Sequence, residues 1–192
     1  MSAMDKTALL VMDVQQGIVA RFGDDPSYLE RLSAAIAAAR AAEIPVIYVT
    51  ISFRPGHPEI AASNRTFAAA AAAGGFGHDD PATQVHPRIA PRPGDISVVK
   101  KRVSAFTGSD LEVVLRGLGV GKLVLTGIAT SGVVLSTLRQ AADLDYELVV
   151  LEDGCLDGDP EVHRVLTSKV FPRQAEVTTV AAWTASLTDT LI

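Results

Sequence analysis

Hydrophobic residues in this chain gather into short, mostly uninterrupted runs, separated by stretches in which they recur at helical spacing. The runs are TALLVMD (7–13), VIYVTI (46–51), ISVVK (96–100), LVL (123–125), ELVVL (147–151) and AEVT (175–178). Most lack the alternation of a half-solvated strand, so they are expected as strands buried on both faces. Between them, Asp25 and Pro26 supply a capping residue and a proline at the first helical position, ahead of Leu29, Leu32, Ile36 and Ala39. Ser109-Asp110-Leu111-Glu112 reads as a capping box before Leu111, Val114, Leu115 and Leu118, with Gly119 as the stop. The stretch from Leu123 to Asp143 reads as strand, tight turn and helix, with Gly127 at the turn. Asp159-Pro160 opens a helix carrying Val162, Val165, Leu166 and Val170, and Val180, Trp183 and Leu187 mark a closing helix.

Six strands alternating with helices predict a parallel sheet covered on both faces. Right-handed crossovers then give an α/β protein, a three-layer α/β/α domain with a six-stranded, mostly parallel, Rossmann-like sheet. One domain over 1–192 is expected, with no repeat and no linker. Ser52 to Asp95 breaks the rhythm with FRPGHPEI, an alanine run from Ala68 to Ala73, Gly74-Gly75 and HPRIAPRPGD. Alanine favours helix strongly, so a short helix or lid between loops is expected there. An excursion of this length is either functional or tolerated surface.

Apolar residues make up 48% of the chain and the mean hydropathy is +0.26, which excludes disorder as a description of the whole. The formal net charge of −5 argues against a nucleic-acid partner or an anionic membrane surface. Lys100, Lys101 and Arg102 form the one short basic run. The opening Met1 to Lys6 is polar, the apolar run after it is short and contains Asp13, and no run approaches the ~20 residues of a spanning helix. With a single cysteine, Cys155, no internal disulfide can form, so a cytoplasmic location is expected.

Three chemical features fall at the carboxyl ends of predicted strands: Asp13, Lys100 and the turn Gly127 to Val133. In open α/β sheets ligands bind at that end, where a helix N-terminus also gathers backbone N–H groups. Each feature has a plain reading, Asp13 as a cap or loop anchor and Lys100 as a solvated side chain. A carboxylate and an ammonium buried together are nevertheless an arrangement that desolvation disfavours without a role.

The segments LLVMDVQ, VVKKRVSAF and TGIATSG resemble, in order and separation, the three signature segments of the isochorismatase-like, or cysteine hydrolase, superfamily. The resemblance covers roughly residues 7 to 190. It implies a hydrolase acting on a small molecule, without a cofactor, in a dimer or tetramer. It also implies that Asp13 and Lys100 belong to the catalytic set. The backbone of Ile128, Ala129, Gly132 and Val133 would then hold an anion or oxyanion, with a non-proline cis peptide between Ile128 and Ala129. Gln15, Phe53, Phe106, Thr130 and Ser131 are candidates for lining the pocket, the two phenylalanines being equally readable as core.

The sequence departs from the amidohydrolase pattern at the position that the resemblance gives to the nucleophilic cysteine, which here is Val133. Cys155, in LEDGCLD beyond the fifth predicted strand, has no role in the pattern and reads as a small buried hydrophobe. Ser131 lies two residues from Val133, with no histidine near it in sequence. Isochorismatases of the superfamily keep the acid and the lysine and work without a thiol. The expected chemistry is therefore acid–base catalysis by Asp13 with Lys100 as its electrostatic partner; the alternative is a silent member that binds a small anion or serves an assembly. Nicotinamidases of the superfamily hold a divalent ion after the second strand through an Asp and two His. Here that region offers only His57 and Glu59, read as a surface loop, and no metal is expected. His78, His86 and His163 are scattered without ligand spacing and read as surface or loop residues, His86 on the approach to the third strand.

Overall fold

A computed structural model of the chain describes residues 6–23 and 25–189. The elements in chain order are β1 (Lys6–Met12), α1 (Gln16–Arg21), α2 (Pro26–Ala41), β2 (Val46–Ile51), α3 (Arg65–Ala72), β3 (Ile96–Lys100), α4 (Leu111–Leu118), β4 (Val120–Ile128), α5 (Leu135–Asp143), β5 (Glu147–Leu156), α6 (Pro160–Val165), β6 (Glu176–Thr178) and α7 (Val180–Asp189). The sheet order is β3-β2-β1-β4-β5-β6, and every neighbouring pair is parallel. The expected mostly parallel sheet is thus entirely so.

The uninterrupted apolar runs follow from burial on two sides. In β1, Ala8, Leu10 and Met12 face one core with Leu111, Leu115, Leu138 and Phe171. Leu9 and Val11 face the other, with Tyr28, Leu29, Leu32, Ile36 and Trp183. Helices α4 and α5 therefore cover one face, and α2 and α7 the other, which is the three-layer arrangement. Among the described residues no helix is long and apolar enough to cross a membrane.

The order 3-2-1-4-5-6 reverses direction between β1 and β4, which opens a crevice at the carboxyl ends of those two strands. Asp13 follows β1 and Gly127 lies at the end of β4, paired in register with Met12. The topology thus places two of the three predicted features at one address.

Several local expectations are corrected. Helix α1 was not foreseen, because Gly17 interrupts its pattern and Val19 alone is buried. The helix after Asp110 is not closed by a capping box: the Ser109 hydroxyl donates to the Ala105 carbonyl at 2.6 Å, and Glu112 pairs with Arg116 at 2.7 Å. The helix starting at Pro160 breaks after Val165 into a wider turn over Leu166–Val170, and Val162 is exposed rather than part of a core stripe. β5 runs to Leu156, so Cys155 lies within the fifth strand and not beyond it. In the 52–95 excursion the helix forms over Arg65–Ala72, with the Asn64 side chain accepting from the Phe67 N–H at 3.2 Å. The remainder holds two short 3-10 turns, Pro81–Thr83 and Pro87–Ile89.

Candidate active site

Asp13 is the first residue beyond β1, and its backbone is left-handed, with φ 57°. Aspartate is among the few non-glycine residues that enter this region readily. Its N–H donates to the Val49 carbonyl at 2.8 Å, which keeps the residue tied to β2 while the carboxyl group stands over the sheet edge. Lys100 ends β3, two strands away, and is paired in register with Ile51 of β2. Its side chain passes over the end of β2, and Nζ reaches Asp13 Oδ2 at 2.9 Å. Nζ also donates to the Arg102 carbonyl at 2.9 Å.

Both partners are buried, Lys100 1% and Asp13 6% exposed. Burial raises the Asp13 carboxyl above the ordinary carboxylate range, against the opposing pull of the Lys100 ammonium and its hydrogen bond. Oδ2 is held by Lys100, whereas Oδ1 is buried with no hydrogen-bond partner among the described residues. An acceptor kept dry and unpaired costs ~1–3 kcal/mol, and among the described residues only the core hydroxyl of Tyr28 shares this state.

The turn after β4 begins beside Asp13, since Gly127 is in register with Met12. Gly127 has φ 145°, and a Cβ added there would meet the Met12 carbonyl oxygen at 2.2 Å, so glycine is required both by conformation and by the approach of β1. The Ile128–Ala129 peptide is cis, as the resemblance implied. Thr130–Val134 form a wide turn, interrupted at Gly132 (φ −101°, ψ −105°), before α5 begins. The Ala129 carbonyl accepts from Gly132 N–H at 3.0 Å and Val134 N–H at 3.3 Å. The Ser131 N–H is taken by Asp157 Oδ2 at 2.7 Å. Burial acts to raise Asp157, but hydrogen bonds from Ser131, Asp159 and Gly158 outweigh it and hold the carboxyl below its ordinary range.

Thr130 is fully buried, and its Oγ1 lies 2.8 Å from His163 Nδ1 on α6. His163, read from the sequence as surface or loop, is therefore half-buried against the turn. Neither it nor Asp157 carried a signal in the sequence. The contact depends on how α6 packs, and the pattern marked the helix's apolar positions instead. Val133 is buried within the core below α5. Cys155 is buried too, in register with Gly127, and burial pushes its thiol up to about 12.

The pocket candidates divide. Gln15 is fully buried, but both ends of its amide are engaged: Nε2 donates to the Ile51 carbonyl at 3.0 Å and the Thr83 carbonyl at 2.6 Å, and Oε1 accepts from Ile51 N–H at 2.9 Å. It braces β1, β2 and the excursion together. Phe106 packs in the core with Tyr146, ring centroids 6.1 Å apart. Phe53 lines a cavity of about 320 Å³ with Arg54, His78, Val99 and Lys101, at the β3 edge of the sheet. Ser131 is exposed.

Both residues weighed as metal ligands already have partners. His57 Nε2 lies 2.9 Å from the Gly75 carbonyl, and Glu59 accepts from Arg54 at 2.7 Å. Among the described residues no group of three His, Cys, Asp or Glu side chains is placed to hold a metal ion. His86 caps the turn before Ile89, accepting from Arg88 N–H at 3.3 Å, and His78 is exposed in the excursion.

The family model described as the Isochorismatase domain matches residues 7–182, a span that contains Asp13, Lys100 and the 127–133 turn. The chain belongs to the isochorismatase family. A ureidoacrylate amidohydrolase RutB of Pseudomonas syringae pv. syringae (strain B728a) is 34% identical to it over 96% of this chain and 82% of that protein. An uncharacterized isochorismatase family protein YecD of Escherichia coli O157:H7 is 32% identical over 91% of this chain and 92% of that one. A crystallised cysteine hydrolase from Pseudomonas syringae pv. phaseolicola 1448A superposes with a TM-score of 0.87 over 96% of this chain and 93% of that one. At 23% identity that likeness is one of fold. The isochorismatase-family hydrolase reading of the sequence thus stands at the level of family and fold.

Proposed function

We propose that this member of the family hydrolyses a small carboxylate-bearing molecule by thiol-independent acid–base chemistry. The single observation that carries the reading is the divided Asp13 carboxyl, with Oδ2 on Lys100 and Oδ1 buried and unpartnered. Raised by burial, the group is suited to holding a proton on Oδ1 and delivering it to a bound substrate. Lys100 fixes the orientation of the carboxyl and compensates the charge left when the proton departs. On an enol ether, the proton goes to the vinylic carbon and water adds to the oxocarbenium carbon. The attacking water gives up a proton to the Asp13 carboxylate as the neutral hemiketal forms, and the hemiketal collapses to an alcohol and a keto acid, its hydroxyl proton passing to the leaving oxygen. The substrate's anionic group is assigned to the backbone of Ile128, Ala129, Gly132 and Val133. Because the Gly132 N–H already closes on Ala129, the main donors in this reading are Ala129 and Val133.

No thiol is available to this scheme. The 127–135 segment contains no cysteine, and Cys155 is a buried thiol with its pKa near 12. The same absence favours a second reading, a binder of small anions that has lost hydrolysis. Isochorismate and ureidoacrylate, an enol ether and a ureido acid, are the two substrates to set against each other. The decisive assay follows pyruvate release from the first and hydrolysis of the second by the purified protein, with Asp13→Asn as control. Turnover that falls at least a hundredfold in Asp13→Asn, and declines as pH rises through the carboxyl's titration, is the expected result. Turnover unchanged by Asp13→Asn rejects the acid–base scheme, and no turnover of either substrate moves the binding reading to first place.

A further inference from the structure

The turn that carries the backbone donors is gripped from outside by one short segment, the end of β5 and the start of α6. Asp157 accepts from Ser131 N–H through Oδ2 at 2.7 Å and from Asp159 N–H through Oδ1 at 3.2 Å, so one carboxylate joins the turn to the cap of α6. The Asp159 side chain accepts from the Glu161 and Val162 N–H groups at 2.9 and 3.3 Å, and Pro160 occupies the first helical position. Within that helix, His163 N–H donates to the Asp159 carbonyl at 3.0 Å. The cap therefore fixes where the His163 imidazole stands, and it stands 2.8 Å from Thr130 Oγ1.

Two points of contact on adjacent residues, Thr130 and Ser131, restrain both the translation and the rotation of the turn. The segment needs such restraint. Two of its N–H groups, those of Gly132 and Val134, share one acceptor, the Ala129 carbonyl, and Gly132 interrupts the helical path. Preorganised donors act only if their direction is held to within ~0.5 Å and 10–20°.

We propose that His163 is a positioning residue. Through Thr130, with Asp157 as the second point, it holds the 128–133 turn in the conformation the structure shows beside the Asp13 end of β1. The Thr130 hydroxyl can give or receive the bond, so it persists whether Nδ1 is an acceptor or carries a proton. The kinetic consequence rests on the hydrolase reading above; the geometric one does not.

The experiment is residue-resolved amide hydrogen exchange on the full chain, comparing the parent with Thr130→Val, His163→Ala, the double variant and His163→Asn. Thr130→Val keeps the shape of the buried side chain and removes only the hydroxyl, so it remains folded where a larger change could fail. Exchange at Ser131 and Gly132 is expected to quicken at least tenfold in each single variant, no further in the double, and to return toward the parent rate in His163→Asn. Leu125, in the middle of β4, keeps its parent rate throughout. Unchanged exchange in the turn, additive effects in the double variant, or equal acceleration at Leu125 would each overturn the proposal, the last by showing a general loss of stability. If the parent turns over a substrate, kcat falls about tenfold in His163→Ala while KM holds. If it turns over none while the exchange pattern is as expected, the positioning role stands and the hydrolase reading fails.

Discussion

Lys100 Nζ meets Asp13 Oδ2 at 2.9 Å, although the two residues end strands that are separated by a third. The contact runs over the end of β2, where Lys100 is in register with Ile51, so β2 sets the distance between the two charges. Both groups are buried, and the ammonium also donates to the Arg102 carbonyl. A pair in this setting gains little by being present, yet loses much when one partner is removed, because the survivor is left charged and dry.

Lys100→Met is therefore expected to cost about 3 kcal/mol at neutral pH, from the carboxylate it strands. Adding Asp13→Asn removes that charge and should restore much of the loss. Urea unfolding of the parent, both single variants and the double variant reads the coupling directly. Additive single effects would mean that the two groups do not share a site in solution.

The pH dependence of stability isolates the Asp13 carboxyl. Burial raises its folded-state pKa above the ordinary value of 3.8. As pH rises, the unfolded chain loses this proton first, so between the two values the folded state binds more protons and stability falls with pH. The contribution is complete below about 3.8 and is lost as pH passes through the raised folded value. Several other carboxyls, Asp95 and Asp157 among them, are lowered and act in the opposite sense, so the measured quantity is the parent's stability minus that of Asp13→Asn. That difference should decline with pH across the acid range; a rising difference would mean that Lys100 outweighs burial.

What was legible in the sequence follows from how local the information is. Asp13 and Lys100 were visible as strand ends because each closes an apolar run, and burial on two faces writes itself into such runs without help from the rest of the chain. Their meeting was not visible in the pattern, since the order β3-β2-β1 is a property of the crossovers and not of any one strand. It entered through the resemblance of three segments. His163 and Asp157 were missed because their contacts depend on how α6 packs against the turn. Cys155 was placed outside β5 because Glu152-Asp153-Gly154 reads as a break. Gly154 is instead accommodated within the strand, at close approach to Thr126, where a Cβ would lie 3.0 Å from its methyl group.

Cys155 should behave as an inert core residue. Its thiol is buried, pushed up to about 12, and 3.9 Å from the Leu125 carbonyl. A thiol with that pKa is almost entirely protonated at pH 7 and unreactive. The folded protein is expected to consume no Ellman's reagent over minutes, and one equivalent in denaturing urea. Cys155→Ala should cost about 1 kcal/mol from the lost packing of the sulfur and leave any turnover unchanged. Rapid labelling of the native protein, or loss of turnover in Cys155→Ala, would return the thiol to the mechanism.

Gly127 is the residue on which the geometry of the crevice turns. It pairs with Met12 across the β1–β4 boundary, the point at which the sheet order reverses, and it is followed directly by the turn. A side chain there would be strained at φ 145° and would also drive its Cβ to 2.2 Å from the Met12 carbonyl oxygen and 2.9 Å from the Met12 Cβ. Neither neighbour can yield cheaply. One is backbone in the last pair of the β1–β4 ladder, and the other belongs to a fully buried core residue. Moving Met12 moves Asp13, the next residue, and with it the contact to Lys100. Gly127→Ala is accordingly expected to cost about 3 kcal/mol or more. Any turnover should fall with it, because the strain lies between Asp13 and the 128–133 turn. Urea unfolding and near-ultraviolet circular dichroism would register both the loss of stability and the disturbed packing. A Gly127→Ala protein within 1 kcal/mol of the parent would mean that β1 and β4 stand further apart at their ends than in the structure.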